Sequence, residues 1–175
     1  MTESKIIAIC GYEGSGKSTS ASFIASALAR NGHTVKIISF AAPIKELCKK
    51  YMKLDKSIDG ANWRRGIEIF SMDMRRMLGN DIFTKYTMNE IEHSLYDYYI
   101  IDDMRYSSEL EALHASAFAT YILKTRTLEG VSNTDADRFN ELMGFIETNK
   151  IDIIELPAVY DDIYGFVNKF VDLVT

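Results

Sequence analysis

Hydrophobic and polar positions follow two patterns along the chain. Continuous apolar runs, rich in β-branched residues, predict five strands, at residues 5–10, 34–40, 98–101, 119–124 and 151–156. Between them, apolar residues recur every three or four positions and predict helices, at residues 17–31, from Pro43, within 63–96, at 107–117 and at 160–174. Strands that are apolar throughout are typical of a parallel sheet with both faces covered. The pattern therefore predicts a doubly wound α/β fold.

Two segments fit this scaffold poorly. Residues 53–62 show no clear strand or helix pattern and are expected to form a loop. Residues 126–148 are polar and carry charged side chains that include Arg138 and Glu141. Both are candidates for mobile appendages on a single domain, which is what a chain of 175 residues supports.

Composition narrows the classes of function. The chain is 47% hydrophobic, enough for one core, and its net charge of −5 disfavours nonspecific binding to nucleic acid. Cys10 and Cys48 are its only cysteines, and their placement suggests neither a zinc site nor a disulfide. The sequence shows no signal-peptide pattern and no apolar run long enough to span a membrane. We therefore expect a protein of the reducing cytoplasm, with no membrane or nucleic-acid partner.

Residues 11–18, GYEGSGKS, match the phosphate-loop pattern G-x-x-x-x-G-K-[ST] at every fixed position. The match stands between a predicted strand and a predicted helix, which is the setting that such a loop requires. Its glycines allow dihedrals at which successive N–H groups turn towards phosphate oxygens. Lys17 is then expected to reach the β- and γ-phosphates, and the Ser18 hydroxyl to ligate Mg²⁺. The predicted nucleotide-binding residues are Gly11, Glu13, Gly14, Ser15, Gly16, Lys17, Ser18 and Thr19.

Asp102 and Asp103 directly follow the predicted strand at residues 98–101. Ligands of open α/β sheets bind at the carboxyl ends of the strands. A carboxylate at this edge can hold Mg²⁺ or its waters opposite the phosphate loop. We therefore predict a metal site made of Ser18, Asp102 and Asp103, although a helix cap explains one of the two aspartates equally well.

Several arginines stand near predicted strand ends or in the polar segment. Arg105 follows Asp103 by two residues, Arg126 lies just past a strand end, and Arg138 lies in the polar segment. Neutralising the transferring phosphoryl group with such cations is the main catalytic resource of phosphoryl transfer. Together with Lys17 and Asp103, these three arginines are the predicted catalytic residues.

A further pair, Arg75 and Arg76, lies in MDMRRMLG at residues 72–79, where the Met and Leu side chains are expected to mark the buried side. Guanidinium groups bind phosphate oxygens in a bidentate manner, so the pair could hold a second, acceptor phosphate. Surface salt bridges with Asp73 or Glu68 are the simpler explanation of this pair taken alone.

Four segments occur in an order that carries a family resemblance: the loop at 11–18, FAAPIKE at 40–46, MRRMLGND at 74–81, and DYYIIDDMR at 97–105 with Glu109 following. They resemble the bacteriophage deoxynucleoside monophosphate kinases, which are related to the wider nucleoside monophosphate kinases. The loop is generic, whereas the PIK and RRMLG segments are more specific. The resemblance implies a P-loop NTPase fold with a five-stranded parallel sheet in the order 2-3-1-4-5, helices on both faces, an acceptor-binding helical insert at about 43–96 and a short lid at about 126–148.

The resemblance also implies an activity, namely transfer of the γ-phosphoryl group of Mg-ATP to the 5′-phosphate of a deoxynucleoside monophosphate. Lys17 and Ser18 would serve ATP and its Mg²⁺, and closure of the lid would exclude water. The implied partners are these small molecules in the cytoplasm, that of the host if a phage encodes the chain, and a homodimer is a compatible assembly. The implied substrate-binding residues are Lys45, Arg75, Arg76, Asp103, Arg105 and Glu141.

Two other functions fit parts of the sequence. A GTP-binding switch would account for NKID at residues 149–152, which matches the guanine-reading pattern N-K-x-D. That pattern should follow a buried strand, however, whereas here it precedes one, and no D-x-x-G lies between it and the phosphate loop. A kinase for another small acceptor, such as phosphomevalonate or a dephospho-coenzyme, would share the fold and the loop and differ in the acceptor segments.

Overall fold

The computed structural model describes residues 4–125, 133–157 and 163–175, and the predicted lid residue Arg126 lies outside them. Within the described residues the strands are β1 (Lys5–Cys10), β2 (Val35–Ile38), β3 (Tyr98–Met104), β4 (Ala119–Lys124) and β5 (Ile153–Glu155). The helices are α1 (Lys17–Arg30), α2 (Ala42–Lys50), α3 (Lys56–Leu78), α4 (Ile82–Glu92), α5 (Ser107–Ala115), α6 (Asn133–Thr148) and α7 (Ile163–Val174). None of these described helices is both long and apolar enough to cross a membrane.

The strands form one parallel sheet in the order β2-β3-β1-β4-β5, which confirms the predicted fold class and strand order. The central strand is β1, in which Ile7 lies opposite Ile100 of β3 and Tyr121 of β4. Because the strands are parallel, their carboxyl ends meet at one edge of the sheet. The loop after β1 therefore shares this edge with the ends of β3 and β4.

Apolar side chains fill both faces of the sheet. On one face, Ile7, Ile100 and Leu123 join a hydrophobic cluster with α1 and α7. The neighbouring residues Ile6 and Ile101 are also fully buried, and consecutive strand residues point to opposite faces. Burial on both faces explains why the central strand β1 is apolar from Ile6 to Cys10.

Cys10 ends β1 inside this core, beside Gly11. Burial raises the pKa of the Cys10 thiol to about 12, against the lowering effect of the Lys124 and Lys17 ammonium groups. The thiol therefore stays protonated near neutral pH and is not a nucleophile. Cys10 has a packing role beneath the phosphate loop.

The start of α3 differs from the sequence-based expectation. The prediction of a loop over residues 53–62 is wrong, because α3 begins at Lys56. The Asp55 carboxylate caps this helix by accepting a hydrogen bond from the Ser57 N–H at 2.8 Å. Gly60 has non-helical dihedrals, and two helical stretches join there across a kink. A kink at a residue of low helix propensity masks the periodicity on which the prediction depended.

The polar segment at 126–148 contributes a packed helix, since α6 occupies its last sixteen residues. Phe139, Leu142 and Ile146 are buried and recur at helical spacing. The expectation that this segment stands outside the scaffold is therefore wrong for residues 133–148. Three apolar side chains are enough to bury one face of the helix against the rest of the protein.

The chain divides into two compact units, of which the first holds the sheet and uses the chain up to Ile38 and from Ser94 onward. The second unit, Ser39–His93, contains α2, α3 and α4 and overlaps most of the region, about 43–96, where the helical insert is expected. Inside the second unit, Gly66 allows close packing, because a Cβ there would lie 3.3 Å from Leu54 Cδ1. Trp63, the only tryptophan of the chain, is buried in the same helix.

Candidate active site

The phosphate loop joins the end of β1 to the start of α1, as predicted. Its backbone is left-handed at Gly14 (φ 76°) and Gly16 (φ 87°), a conformation that glycine adopts without a Cβ penalty. The Ser15 N–H donates to the Tyr12 carbonyl at 3.2 Å and closes the turn. The loop leads into the N-terminus of a fourteen-residue helix, where unpaired N–H groups and the helix dipole favour an anion. The predicted binding residues that are exposed to solvent here are Glu13, Gly14, Ser18 and Thr19.

Lys17 is folded back onto the loop that precedes it. Its side chain is 8% exposed, and the ammonium group donates to the carbonyls of Gly11 at 2.8 Å and Tyr12 at 2.7 Å. These bonds stabilise the loop and hold a positive charge at its mouth. A bound phosphate would offer the same ammonium group charged acceptors, which form stronger hydrogen bonds than carbonyl oxygens do.

Ser18 and Asp102 are in direct contact. The Ser18 hydroxyl donates to Asp102 Oδ2 at 2.7 Å, across 84 residues of sequence. The structure therefore brings one of the two predicted aspartates onto the first turn of α1. Asp103 is the next residue of β3, and it is half-buried like Asp102.

The sheet is irregular where these aspartates lie. β1 and β3 pair in register up to Ala8 and Ile101, after which Cys10 pairs with Met104. Over this stretch β3 therefore contains one residue more than β1. Such a bulge re-aims side chains and is frequent next to active sites.

The donors at Ser18 and Asp102 suit Mg²⁺. This ion takes oxygen ligands and is usually held by one or two carboxylates together with water and substrate phosphates. A hydroxyl and a carboxylate in contact at the mouth of a phosphate loop fit that requirement. Among the described residues, no group of three or more His, Cys, Asp or Glu side chains forms a metal site by itself. Magnesium would therefore bind here together with a nucleotide.

A cleft brings two of the predicted catalytic arginines to the phosphate loop. Arg105 and Arg138 line it together with Gly11, Tyr12, Met104 and Phe139. The Arg138 guanidinium carbon lies 5.6 Å from the centre of the Tyr106 ring, within cation–π range. The rings of Tyr12 and Phe139 lie 4.4 Å apart, so α6 packs directly on the loop. The motif pattern does not single out Tyr12 or Phe139, since neither residue type is required at its position.

The buried carboxylate of Glu109 supports the turn that carries Arg105. Glu109 is 2% exposed, and it accepts hydrogen bonds from the N–H groups of Arg105 at 2.8 Å and Tyr106 at 3.1 Å. A glutamate that bonds back to the start of its own helix is half of a capping box. Its sequence signal is weak because Tyr106 is not a usual N-cap residue.

The predicted substrate-binding residue Glu141 belongs to α6 and contacts the start of α5. Its Oε1 accepts a hydrogen bond from the Ser107 hydroxyl at 3.3 Å. This contact joins α6 to α5 close to the cleft residue Arg138, which precedes Glu141 by three positions on α6.

The remaining predicted substrate-binding residues belong to the second unit. The Lys45 ammonium group donates to the Ser39 hydroxyl at 2.6 Å. Arg75 donates to the Asn80 carbonyl, and its guanidinium carbon lies 5.0 Å from the centre of the Phe83 ring. Arg76 pairs with Asp73 at 3.6 Å, and both side chains are largely exposed.

The end of α3 buries a different side from the one that the sequence suggests. Met77 and Leu78 are 81% and 56% exposed, whereas Arg75 is half-buried. The prediction that the Met and Leu residues mark the buried side is therefore wrong. The Arg75 side chain packs on the Phe83 ring. The arginine therefore occupies a half-buried position where an apolar residue was expected.

The comparisons with known proteins concern the architecture. No protein-family model matches the chain, and no curated protein matches it. A kinase candidate from Chloroflexus aurantiacus superposes with a TM-score of 0.56 over 99% of this chain and 97% of that chain, at 13% identity. The Cys556Ala mutant of the Mycobacterium tuberculosis APS kinase CysC superposes with a TM-score of 0.52 over 98% of both chains, at 11% identity. The chain has a P-loop NTPase fold. At these identities the likeness is one of fold.

In this fold, the NKID residues at 149–152 connect α6 to β5. The Asn149 side-chain amide donates to the Phe145 carbonyl at 2.8 Å, and its backbone N–H donates to the same carbonyl at 3.0 Å. Lys150 then takes a left-handed conformation (φ 52°) before the chain enters β5. The segment thus ends a helix and precedes a strand, which is the interpretation that the sequence favours over guanine recognition.

Gly11 leaves no room for a side chain at the start of the P-loop. A Cβ there would lie 1.8 Å from Thr125 Oγ1 and 3.0 Å from Ser15 Oγ, at a φ of 146° that side chains rarely adopt. Gly14 has a positive φ as well, but nothing lies within 4 Å of the corresponding Cβ. An alanine at position 11 would therefore meet both a steric clash and an unfavourable φ. An alanine at position 14 would meet only the unfavourable φ.

We expect Gly11→Ala to weaken Mg-ATP binding by about thirtyfold or more, since overpacking costs ~2 kcal/mol and each 1.4 kcal/mol is tenfold in affinity. Gly14→Ala should weaken binding by about fivefold, the cost of ~1 kcal/mol for a left-handed alanine. Isothermal titration of both variants with Mg-ATP measures the difference. Equal losses in the two variants would show that the contact with Thr125 is unimportant.

Proposed function

We propose that this protein transfers the γ-phosphoryl group of Mg-ATP to the 5′-phosphate of a deoxynucleoside monophosphate and produces the diphosphate. The observation that carries the proposal is the hydrogen bond from Ser18 to Asp102, 2.7 Å long, beside a phosphate loop whose lysine is already in place. Loop, hydroxyl and carboxylate together are the parts that a P-loop phosphotransferase needs for its donor.

The donor side rests on four sources of full or partial positive charge. Loop and helix N–H groups are available for the phosphate oxygens, and Lys17 supplies an ammonium group within hydrogen-bond distance of the loop. Magnesium held by Ser18 and Asp102 would neutralise charge between the β- and γ-phosphates. Arg105 and Arg138, which line the cleft beside Gly11, would receive the charge that spreads over the transferring group.

The reaction asks little of the protein beyond positioning and charge neutralisation. The attacking oxygen belongs to the acceptor phosphate, so a strong general base is unnecessary. Burial of the carboxylate of Glu109 against two N–H groups keeps the Arg105 backbone in one conformation. A preorganised arginine loses less entropy when the transition state forms.

The acceptor assignment rests on the resemblance of the segments at 40–46 and 74–81 to those of deoxynucleoside monophosphate kinases. Lys45, Arg75 and Arg76 are proposed to hold the acceptor nucleotide. Arg76 pairs with Asp73 at the surface, where a salt bridge is worth at most about 1 kcal/mol, so it can exchange this partner for a phosphate. Arg75, which is half-buried and bonded to the Asn80 carbonyl, would reach the acceptor from the last turn of α3.

A kinase for a different small phosphorylated acceptor is the second candidate. It is supported by the superposition, at the level of the fold, on a structure named as an APS kinase. The candidates share every donor-side residue and differ in the second unit.

The test measures ADP release from Mg-ATP with each deoxynucleoside monophosphate in turn, and GTP hydrolysis without any acceptor. We expect ADP release that depends on the acceptor, with one diphosphate formed per ADP. Binding of Mg-ATP without release of ADP for any deoxynucleoside monophosphate would refute the acceptor assignment and direct the search to other phosphorylated acceptors. GTP turnover without an acceptor would favour the switch instead.

A further inference from the structure

Thr125 connects the P-loop to the end of β4. It is the first residue after that strand and is 2% exposed. Its hydroxyl lies 2.6 Å from the Ser15 hydroxyl and 3.2 Å from the Cys10 carbonyl, and its N–H donates to the same carbonyl at 2.9 Å. Thr125 therefore contacts the residue before the loop and the fifth residue of the loop.

The directions of these hydrogen bonds follow from counting protons. A hydroxyl has one proton to donate, and a carbonyl oxygen can only accept. The Thr125 hydroxyl donates to Cys10, so the Ser15 hydroxyl donates to Thr125. We call these two side chains the Ser15–Thr125 hydroxyl pair. In this arrangement the Ser15 hydroxyl proton is donated to Thr125 Oγ1. If the Ser15 hydroxyl rotated away, this buried oxygen would lose its hydrogen-bond donor.

The hydroxyl pair differs from the bonds that Lys17 makes. Lys17 holds the carbonyls of Gly11 and Tyr12, and it is the group expected to turn towards a bound phosphate. Once it has turned, those two carbonyls lose their ammonium partner. The hydroxyl pair stays in place, because it lies on the β4 side of the loop and packs against Gly11, where no Cβ fits.

We propose that Thr125 is a positioning residue of the P-loop, which keeps the loop in its phosphate-binding shape through the Ser15–Thr125 hydroxyl pair. The inference deepens the proposed function, since it depends on Mg-ATP binding at the loop, but it does not depend on the identity of the acceptor. Removing the hydroxyl should weaken the binding of Mg-ATP rather than unfold the protein.

The test compares three variants of the full chain by isothermal titration with Mg-ATP, without any acceptor. Thr125→Val removes the hydroxyl and keeps the shape, and we expect an affinity about tenfold lower, the loss of one buried hydrogen bond. Thr125→Ser keeps the hydroxyl and should bind within about threefold of the original chain. Thr120→Val is the matched control on the same strand, because the Thr120 hydroxyl bonds only locally to the Phe118 carbonyl, and its affinity should be unchanged.

A double-mutant cycle with Ser15→Ala separates positioning from general stability. If the two hydroxyls act through each other, the double variant should bind about as weakly as the weaker single variant. Additive losses, or an unchanged affinity in Thr125→Val, would overturn the proposal. Tight Mg-ATP binding by the original chain without phosphorylation of any deoxynucleoside monophosphate would leave this inference intact and refute only the proposed acceptor.

Discussion

Lys17→Ala is expected to lower the rate of phosphoryl transfer by roughly a thousandfold or more while the fold stays intact. The reason is that Lys17 supplies the ammonium group at the mouth of the loop, where it already contacts the Gly11 and Tyr12 carbonyls. Without it, the negative charge that develops on the transferring group loses its nearest side-chain cation. Single-turnover rates and far-UV circular dichroism of both proteins measure the two parts of the prediction.

The matched control for this variant is Lys169→Ala, which removes an exposed lysine from α7. Its rate should equal that of the original chain, since exposed charges away from the site contribute little. An unchanged rate in Lys17→Ala would sink the assignment of residues 11–18 as the donor site. A thermal midpoint that falls far more than in the control would mean that Lys17 holds the loop together for folding.

Asp102→Asn should lower the rate by about a hundredfold and raise the Mg²⁺ concentration for half-maximal rate by about tenfold. The Asn side chain can still accept the hydrogen bond that Ser18 donates, so the local structure should persist. What is lost is the carboxylate charge that a divalent cation requires. Initial rates over a series of Mg²⁺ concentrations at saturating ATP separate the two effects.

Asp103→Asn provides the comparison, because it makes the same chemical change on the next residue of β3. The Asp102 carboxylate is the one that accepts the hydrogen bond from Ser18, so it is the carboxylate that we expect to share the cation with Ser18. We expect the rate of Asp103→Asn to fall through loss of a catalytic or substrate contact while its Mg²⁺ requirement stays unchanged. A raised Mg²⁺ requirement in Asp103→Asn alone would reverse the assignment of the two aspartates.

Local patterns in the sequence predicted the fold well. The runs at residues 5–10 and 119–124 coincide with β1 and β4, because most of their residues are apolar and only single polar residues interrupt the pattern. β3 extends three residues beyond its predicted end at Ile101. Its backbone pairing with β1 continues past Asp102 and Asp103 to Met104. Side-chain polarity ends an apolar run, but it does not end a hydrogen-bonded ladder.

The same distinction between local and distant contacts applies to the site. The P-loop is continuous in sequence, so its residues and their order were predictable. The contact of Ser15 with Thr125 spans 110 residues, and no pattern of residue types marks Thr125 as a partner. The tilted contact between the rings of Tyr12 and Phe139 depends on where α6 packs, which only the assembled sheet determines.

The position of Trp63 gives the chain a built-in optical reporter. As the only tryptophan, buried in α3 of the second unit, it dominates emission when excitation at long wavelength avoids the tyrosines. The emission then reports on the surroundings of α3, because Tyr12 at the P-loop is not excited at that wavelength. Titrations with an acceptor nucleotide and with ATP can be followed at the second unit without a label or a single substitution.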